Sequence, residues 1–396
     1  MNAPHPETAF RQLAERMPDI GVQTVLLSDA AGRIQAMPLL ANRDSPPFDC
    51  SSMDGFAVRL KDLTASDLPV RGEGRLGQEP PALEANAAVR VSTGSPIPIG
   101  ADTVIPVEDA QEKDGRIALA GGAQPHIGQN IRRRGENAVA GTTILGSGVI
   151  LRAAHIGAMA AFGHSKASVR NRLRIAVITT GDELIPPGCP VTQWRIIDSN
   201  LAALCASVLC IPWLELVAAV RVADDVAAMT AALHGALANA DVILTTGGVS
   251  RGHRDFMPAA IRAAGGEVLF HRLPIKPGGP VLGAIAAGKA VFGLPGNPVS
   301  ALVLWRRFVL PCLALHVGCS RSFGADLQVE LTNPPDDLPM KWCYRLVRIA
   351  GIGRAELIRC ASSGDIPAAA TSDGFIEVPP DKTTDVTFPF FSWSIA

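Results

Sequence analysis

With 396 residues, 47% of them hydrophobic, the chain has enough apolar content for about two to four domains with cores of their own. Lys+Arg 36 against Asp+Glu 37 leave a net charge of -1, which excludes the long-range attraction that non-specific nucleic-acid binding needs. Any anion site must be local. Residues 1–20 carry Pro4, Pro6 and scattered charges where a signal peptide needs an apolar stretch, so the protein is expected in the cytoplasm. Its eight cysteines form no C-x-x-C pair and read as small core residues, with no zinc site expected.

In chain order, TAFRQLAERM (8–17) and LRAAHIGAMAAFG (151–163) have helical apolar spacing and bracket a Gly- and Pro-rich stretch. That stretch contains short apolar runs such as AVRVSTG and TVIPVED. The expected organisation is a helical platform from residues 1–44 and 140–172 and a β-rich inserted domain at 45–139. From 173 to 317 strands and helices alternate: IAVITT, a helix opening at Asp198-Ser199-Asn200, LELVAAV, a helix from Asp224, and VILTT. A helix from about Asp255, the strand EVLFHRL, a hairpin-like VLGAIAAGKAVFGL and a helix capped by Asn297 with Pro298 first complete it. This pattern predicts a three-layer α/β domain with a mostly parallel sheet. LQVELT, YRLVRIA, RAELIRCA and GFIEVP predict a small β-barrel domain over 318–396. The most membrane-like run, 201–220, is broken by Pro212 and Glu215 and reads as helix, turn, strand.

Three α/β strands end in unusual polar sequence: TTGDEL after the first, TTGGVS after the third and LPGNPVS after the last. In such sheets ligands bind beyond the carboxyl ends of the strands. Gly181, Gly247, Gly248 and Gly296 are expected to admit a ligand close to the backbone, and Thr179, Thr180, Thr245, Thr246 and Ser250 to offer hydroxyls. Asp182, Glu183 and Asp255 are candidate Mg²⁺ ligands, with helix capping as the alternative for Asp255. Arg272 and Lys276 leave a strand for the same edge and suit an anion. His253 is read as a loop residue. Neither a P-loop nor a G-x-G-x-x-G fingerprint is present in the sequence.

PPFDCSSMDGFAVR (46–59), VRVSTGSPIPIGADTVIPVED (89–109), NIRRRGEN (130–137), TTGDEL, IIDSN, TTGGVS, RDF, IKPG and LPGNPVSA match in order the motifs of the molybdopterin molybdenumtransferase family. Bacterial MoeA proteins, the gephyrin E domain and the plant molybdenum insertase are among its members. The resemblance spans nearly the whole chain and is loosest over the last eighty or so residues. It implies an enzyme that binds adenylylated molybdopterin, accepts molybdate, and hydrolyses the phosphoanhydride with Mg²⁺, releasing AMP and molybdenum cofactor. By the same resemblance Asp54, Glu183, Asp224, Asp255 and Lys276 are implied catalytic residues, with Asp182, Glu183 and Asp255 as metal ligands. Thr93, Arg132, Ser199, Asn200, Gly247, Gly248, Ser250 and Arg272 are implied to bind substrate. So are Pro295, Gly296, Asn297, Ser300, Arg345 and Ser363.

The family also implies a homodimer with active-site clefts shared between subunits, and an adenylyltransferase and apo-molybdoenzymes as partners, with no nucleic acid or membrane. The chain departs from the pattern at Asn137, Gly279, Phe56 and Arg272. A molybdopterin adenylyltransferase, or a non-catalytic cofactor carrier, are the competing readings. MDGFAV and the extra domains argue against the first. Asn137 and Gly279 argue for the second, and Glu183, Asp255 and Lys276 against it.

Overall fold

The computed structural model describes residues 5–63, 67–249, 256–334, 339–380 and 387–394. Two compact units divide the chain, one of residues 1–37, 146–157 and 165–396, the other of residues 38–145 and 158–164. In the first, a six-stranded sheet has the spatial order Leu214–Val222, Leu173–Thr180, Val242–Thr246, Lys289–Leu294, Leu282–Ala286, Glu267–His271. The first four strands are parallel, and the hairpin adds an antiparallel edge.

Strand alternation places successive side chains on opposite faces. Ile175, Val177, Val242, Leu244 and Phe292 accordingly join one core with Phe10 and Leu13 of the helix Pro6–Glu15 and with Leu204, Trp305 and Phe308. Ala176, Ile178, Ile243 and Val291 join the other, with Met229, Leu233, Met257 and Ile261. Layers on both faces make this the expected three-layer arrangement. The helix Pro298–Leu304 continues through a π-turn, Trp305–Val309, into Leu310–His316. By length and composition Pro298–His316 could cross a bilayer, but 78% of its apolar window is buried inside the protein, where it is a core helix.

Helix starts follow local chemistry. Asp198 precedes Ser199–Leu209 and accepts the Leu201 N–H at 3.0 Å. The next helix, Val226–Asn239, starts two residues after the expected Asp224, because Asp225 is the residue that accepts an N–H from its first turn.

Leu327–Leu331, Trp342–Gly351, Arg354–Leu357, Gly374–Val378 and Thr387–Ser392 close into a five-stranded barrel, since Trp342–Gly351 pairs with both Arg354–Leu357 and Gly374–Val378. Its interior holds Val329, Val347, Ile376 and Phe390. A two-residue strand, Ile275–Lys276, leaves the α/β layer and pairs with Trp342 and Cys343 of the barrel.

The second unit is built on six strands in the order Thr103–Pro106, Gly55–Val58, Ala88–Val91, Leu68–Gly74, Arg116–Leu119, Ala110–Lys113. Its strand Gly55–Val58 is buried throughout. A Cβ on Gly55 would fall 2.0 Å from the Ile105 carbonyl oxygen, so the glycine of MDGFAV is fixed by packing. The cysteines do not all behave as core residues: Cys50, Cys312 and Cys343 are buried, but Cys189, Cys210 and Cys360 lie in turns and loops and are exposed.

Candidate functional site

At the carboxyl ends of the parallel strands, the threonines expected to face a ligand turn inward. Thr179, Thr180, Thr245 and Thr246 are all buried. Thr179 donates to Asp198 Oδ2 at 2.6 Å, Thr180 to Asp224 Oδ1 at 2.8 Å, and Thr245 to the Phe292 carbonyl at 3.3 Å. These hydroxyls anchor loops. The reason is desolvation: a buried hydroxyl needs an internal partner, and neighbouring strand ends supply one.

The glycines divide in the same way. Gly247 adopts φ +94, and a Cβ there would meet the Thr180 carbonyl oxygen at 2.5 Å. Gly248 has φ +63 and lies against the Phe256 ring, while a Cβ on Gly181 would meet Leu184 at 2.8 Å. Backbone conformation and packing thus require glycine at 247 and 248, whereas at Gly181 only side chains that can shift crowd the position. Gly296 differs, because the nearest atom to its missing Cβ is Gly247 Cα at 4.0 Å, leaving backbone open to a ligand.

That open loop borders a cleft of about 1000 Å³ between the α/β layer and the barrel. The cleft brings together nine of the sequence-named residues: Gly247, Gly248, Lys276, Pro295, Gly296, Asn297, Ser300, Arg345 and Ser363. Asn297 occupies the N-cap position, but its side chain does not cap the helix; Nδ2 donates to Ser363 Oγ at 2.7 Å. The Val299 N–H donates to the Ser363 carbonyl at 3.1 Å, so the helix start is tied to a barrel loop. Asn200 is 7% exposed and donates from Nδ2 to the Gly296 carbonyl at 2.7 Å, supporting the loop from behind. Ser199 opens the same helix and does not line the cleft.

Lys276, Lys341, Arg345 and Arg359 all line the cleft, and no carboxylate does among the described residues. Four cations in one concave wall, Arg345 half-buried and the others exposed, attract phosphate-bearing ligands. Lys341 and Arg359 escaped the sequence reading. The signal was slight, a cation just before one barrel strand and another in the loop after the next. Gly279 follows Lys276 in a tight turn, where its carbonyl accepts the Leu273 N–H at 2.9 Å and a Cβ would stand 3.1 Å from the Ile275 carbonyl oxygen. Arg272 does not line the cleft; it has φ +72 and is half-buried.

The carboxylates form a separate group at adjoining strand ends. Asp182 Oδ1 accepts the Asp224 N–H at 3.1 Å, and Asp224 in turn holds Thr180. Asp182 and Glu183 are exposed. None of the three lines the cleft, and no group of three metal-ligating side chains occurs among the described residues. Ser250 and Asp255 lie outside the described residues.

In the second unit, Asp54 Oδ1 accepts both the Thr93 N–H at 2.6 Å and the Thr93 hydroxyl at 3.0 Å. The N–H, then the hydroxyl, hold this carboxyl below its usual range. Arg132 pairs with Cys50 in a short strand and donates to Asn137 Oδ1 at 2.6 Å, while Asn137 Nδ2 reaches Ser45 Oγ at 3.3 Å. The amide at 137 thus anchors Arg132, beside an ion pair from Arg132 Nε to Glu136 Oε1 at 3.5 Å.

Two family models match successive parts of the chain. The family described as "MoeA N-terminal region (domain I and II)" matches residues 5–163, and that described as "Probable molybdopterin binding domain" matches residues 176–315. "Molybdopterin molybdenumtransferase 2" of Mycobacterium tuberculosis (strain ATCC 25618 / H37Rv) is 36% identical over 340 residues, covering 82% of this chain and 83% of that one. "Molybdopterin molybdenumtransferase" of Haemophilus influenzae is 36% identical over 296 residues, covering 73% and 71%. The crystal structure of a molybdopterin biosynthesis moeA protein from Pyrococcus horikoshii OT3 superposes with a TM-score of 0.81 at 27% identity, over 97% of this chain and 96% of that one.

Proposed function

Because the chain belongs to the molybdopterin molybdenumtransferase family and is an enzyme of molybdenum cofactor biosynthesis, we propose that it inserts molybdate into adenylylated molybdopterin and releases AMP. The observation that carries this reading is the cleft lined by Lys276, Lys341, Arg345 and Arg359, with no carboxylate among its described residues, at the edge where α/β sheets bind ligands.

In this reading Lys276 and Arg345 hold the phosphates and the incoming oxyanion, Lys as a compact charge and Arg through its planar fork. The Asn297–Ser363 pair fixes the loop that orients them, and the open backbone at Gly296 lets the pterin approach. Water adds to a phosphorus of the anhydride, and the bridging P–O bond breaks to give AMP and the phosphorylated pterin. Asp182 and Glu183, exposed and offering only oxygen donors, suit Mg²⁺, with Asp255 as the further ligand that the family pattern suggests. Bound there, the ion would offset charge developing on the phosphates. Asp224 positions Asp182 through its backbone N–H. Asp54, Thr93 and Arg132 of the second unit are proposed, on the family pattern, to bind substrate. Asn137, still holding Arg132, weakens the carrier reading.

A homodimer and a cytoplasmic location complete the proposal. Supporting the dimer, the apolar helix Ala153–Ala161 buries only Met159, while Val22 and Leu26 on the strand Val22–Leu26 are 55% and 53% exposed. Sedimentation equilibrium tests it, a single species of twice the chain mass being the expected result. Incubation with adenylylated molybdopterin, Mg²⁺ and molybdate tests the activity. AMP should appear together with cofactor able to reconstitute an apo-molybdoenzyme, and binding without AMP release would favour the carrier.

A further inference from the structure

We propose that the opposite, amino-terminal edge of the same α/β sheet carries a second binding site, for a phosphate-type oxyanion, built around the buried guanidinium of Arg33. The strands Leu173–Thr180, Leu214–Val222 and Lys289–Leu294 begin at a pocket of about 580 Å³. The strand Leu173–Thr180 has 8 residues, so the pocket lies roughly 25 Å from the carboxyl edge of the sheet. It shares no residue with the cationic cleft.

The pocket's charged lining is Arg33, Arg172, Arg174, Lys289, Asp19, Glu215 and Asp241. Most of the negative charge is already engaged. Asp241 accepts from Arg174 Nη2 at 2.7 Å, from its Nε at 3.1 Å and from its backbone N–H at 3.0 Å. Asp19 accepts from Arg170 at 3.0 Å. Lys289 donates to the Leu237 carbonyl at 2.5 Å. His316, also on the wall, is held neutral by burial, and its Nε2 is buried without a partner.

Arg33 is the group left short. It is 4% exposed, it donates from Nη2 to the Arg170 carbonyl at 2.8 Å, and its Nε is buried with no acceptor. Arg172 stands near enough to repel it, and Glu215 offsets that only in part. A buried guanidinium carries five N–H donors and a fixed charge, so it calls for acceptors and an anion. An oxyanion held between Arg33 and Arg172 would supply both and relieve the repulsion between them. The volume exceeds what inorganic phosphate fills, leaving room for the organic group of a small phosphomonoester.

The test uses the full chain with its cleft disabled by Lys276→Ala and Arg345→Ala, so that loss of the proposed catalytic function cannot be confused with loss of this site. Calorimetric titration at low ionic strength with inorganic phosphate, and separately with glycerol 3-phosphate, should show saturable one-site binding. Because Arg33 variants risk misfolding, the exposed Arg172 is changed on that background. Arg172→Ala should weaken binding about tenfold or more, and Arg172→Lys less. Tighter binding of the ester assigns the extra volume to an organic group, and tighter binding of phosphate assigns the site to the free anion. Absence of saturable binding in the cleft-disabled chain, or affinity unchanged by Arg172→Ala, overturns the proposal.

Discussion

The Thr-Thr-Gly ends of two parallel strands and the Leu-Pro-Gly-Asn end of a third look like one device in sequence and do different work, although Gly247 and Gly248 of one Thr-Thr-Gly end also border the cleft. At the Thr-Thr-Gly ends, hydroxyls are buried and bonded inward, and glycine makes room for a neighbouring carbonyl or ring. At Leu-Pro-Gly-Asn, glycine leaves open space and the asparagine reaches across to the barrel. Scaffold and binding surface thus use the same residue types, and burial decides which is which.

The contrast breaks most sharply at the glycines. Gly247→Ala should destabilise the protein by about 3 kcal/mol, since it combines a positive φ with a backbone clash. Gly296→Ala should cost under about 1 kcal/mol yet weaken ligand binding. Urea denaturation separates them, and equal stability losses would erase the distinction. Next in size, Thr179→Val leaves Asp198 Oδ2 buried without its donor and should cost about 2 kcal/mol with little change in ligand affinity.

On the binding side, Arg345→Ala and Lys276→Ala should each weaken a phosphate-bearing ligand about tenfold. Equilibrium dialysis with AMP provides the readout. The smallest effect concerns acid. Asp54 has a lowered pKa in the folded state, so it favours folding above the ordinary carboxylate value of 3.8. That contribution is lost as pH falls through the lowered pKa. Thr93→Val keeps the N–H donor but removes the hydroxyl, so the Asp54 pKa should rise part of the way back and acid unfolding should begin at higher pH. Carbon-detected NMR titration follows the carboxyl directly, and an unmoved pKa would deny the hydroxyl any part.

The α/β layers were legible because strand alternation and helix capping are local signals. Asp198 announced its helix, and IAVITT divided its side chains between two cores as a period of two demands. The destination of a hydroxyl is not local. Thr179 reaches an aspartate 19 residues away, and Thr180 one 44 residues away, so their sequence reads equally well as a ligand loop. Asn297 was placed correctly as an N-cap, but its bond to Ser363 depends on a barrel folded 66 residues later. Lys341 and Arg359 belong to the site only because the barrel closes against the sheet edge, and no motif marks them. The under-satisfied Arg33 is invisible in sequence for the same reason.

The central claim is that the cationic cleft, rather than the threonine-lined strand ends, handles the substrate's phosphates during catalysis. Its most direct measurement is single-turnover AMP release from adenylylated molybdopterin with molybdate and Mg²⁺, comparing wild type with Arg345→Ala, Lys276→Ala and Thr245→Val. The account predicts AMP release from wild type and Thr245→Val, and a loss of about tenfold or more in the two cleft variants. Full turnover in both cleft variants, with turnover lost in a folded Thr245→Val protein, would contradict it.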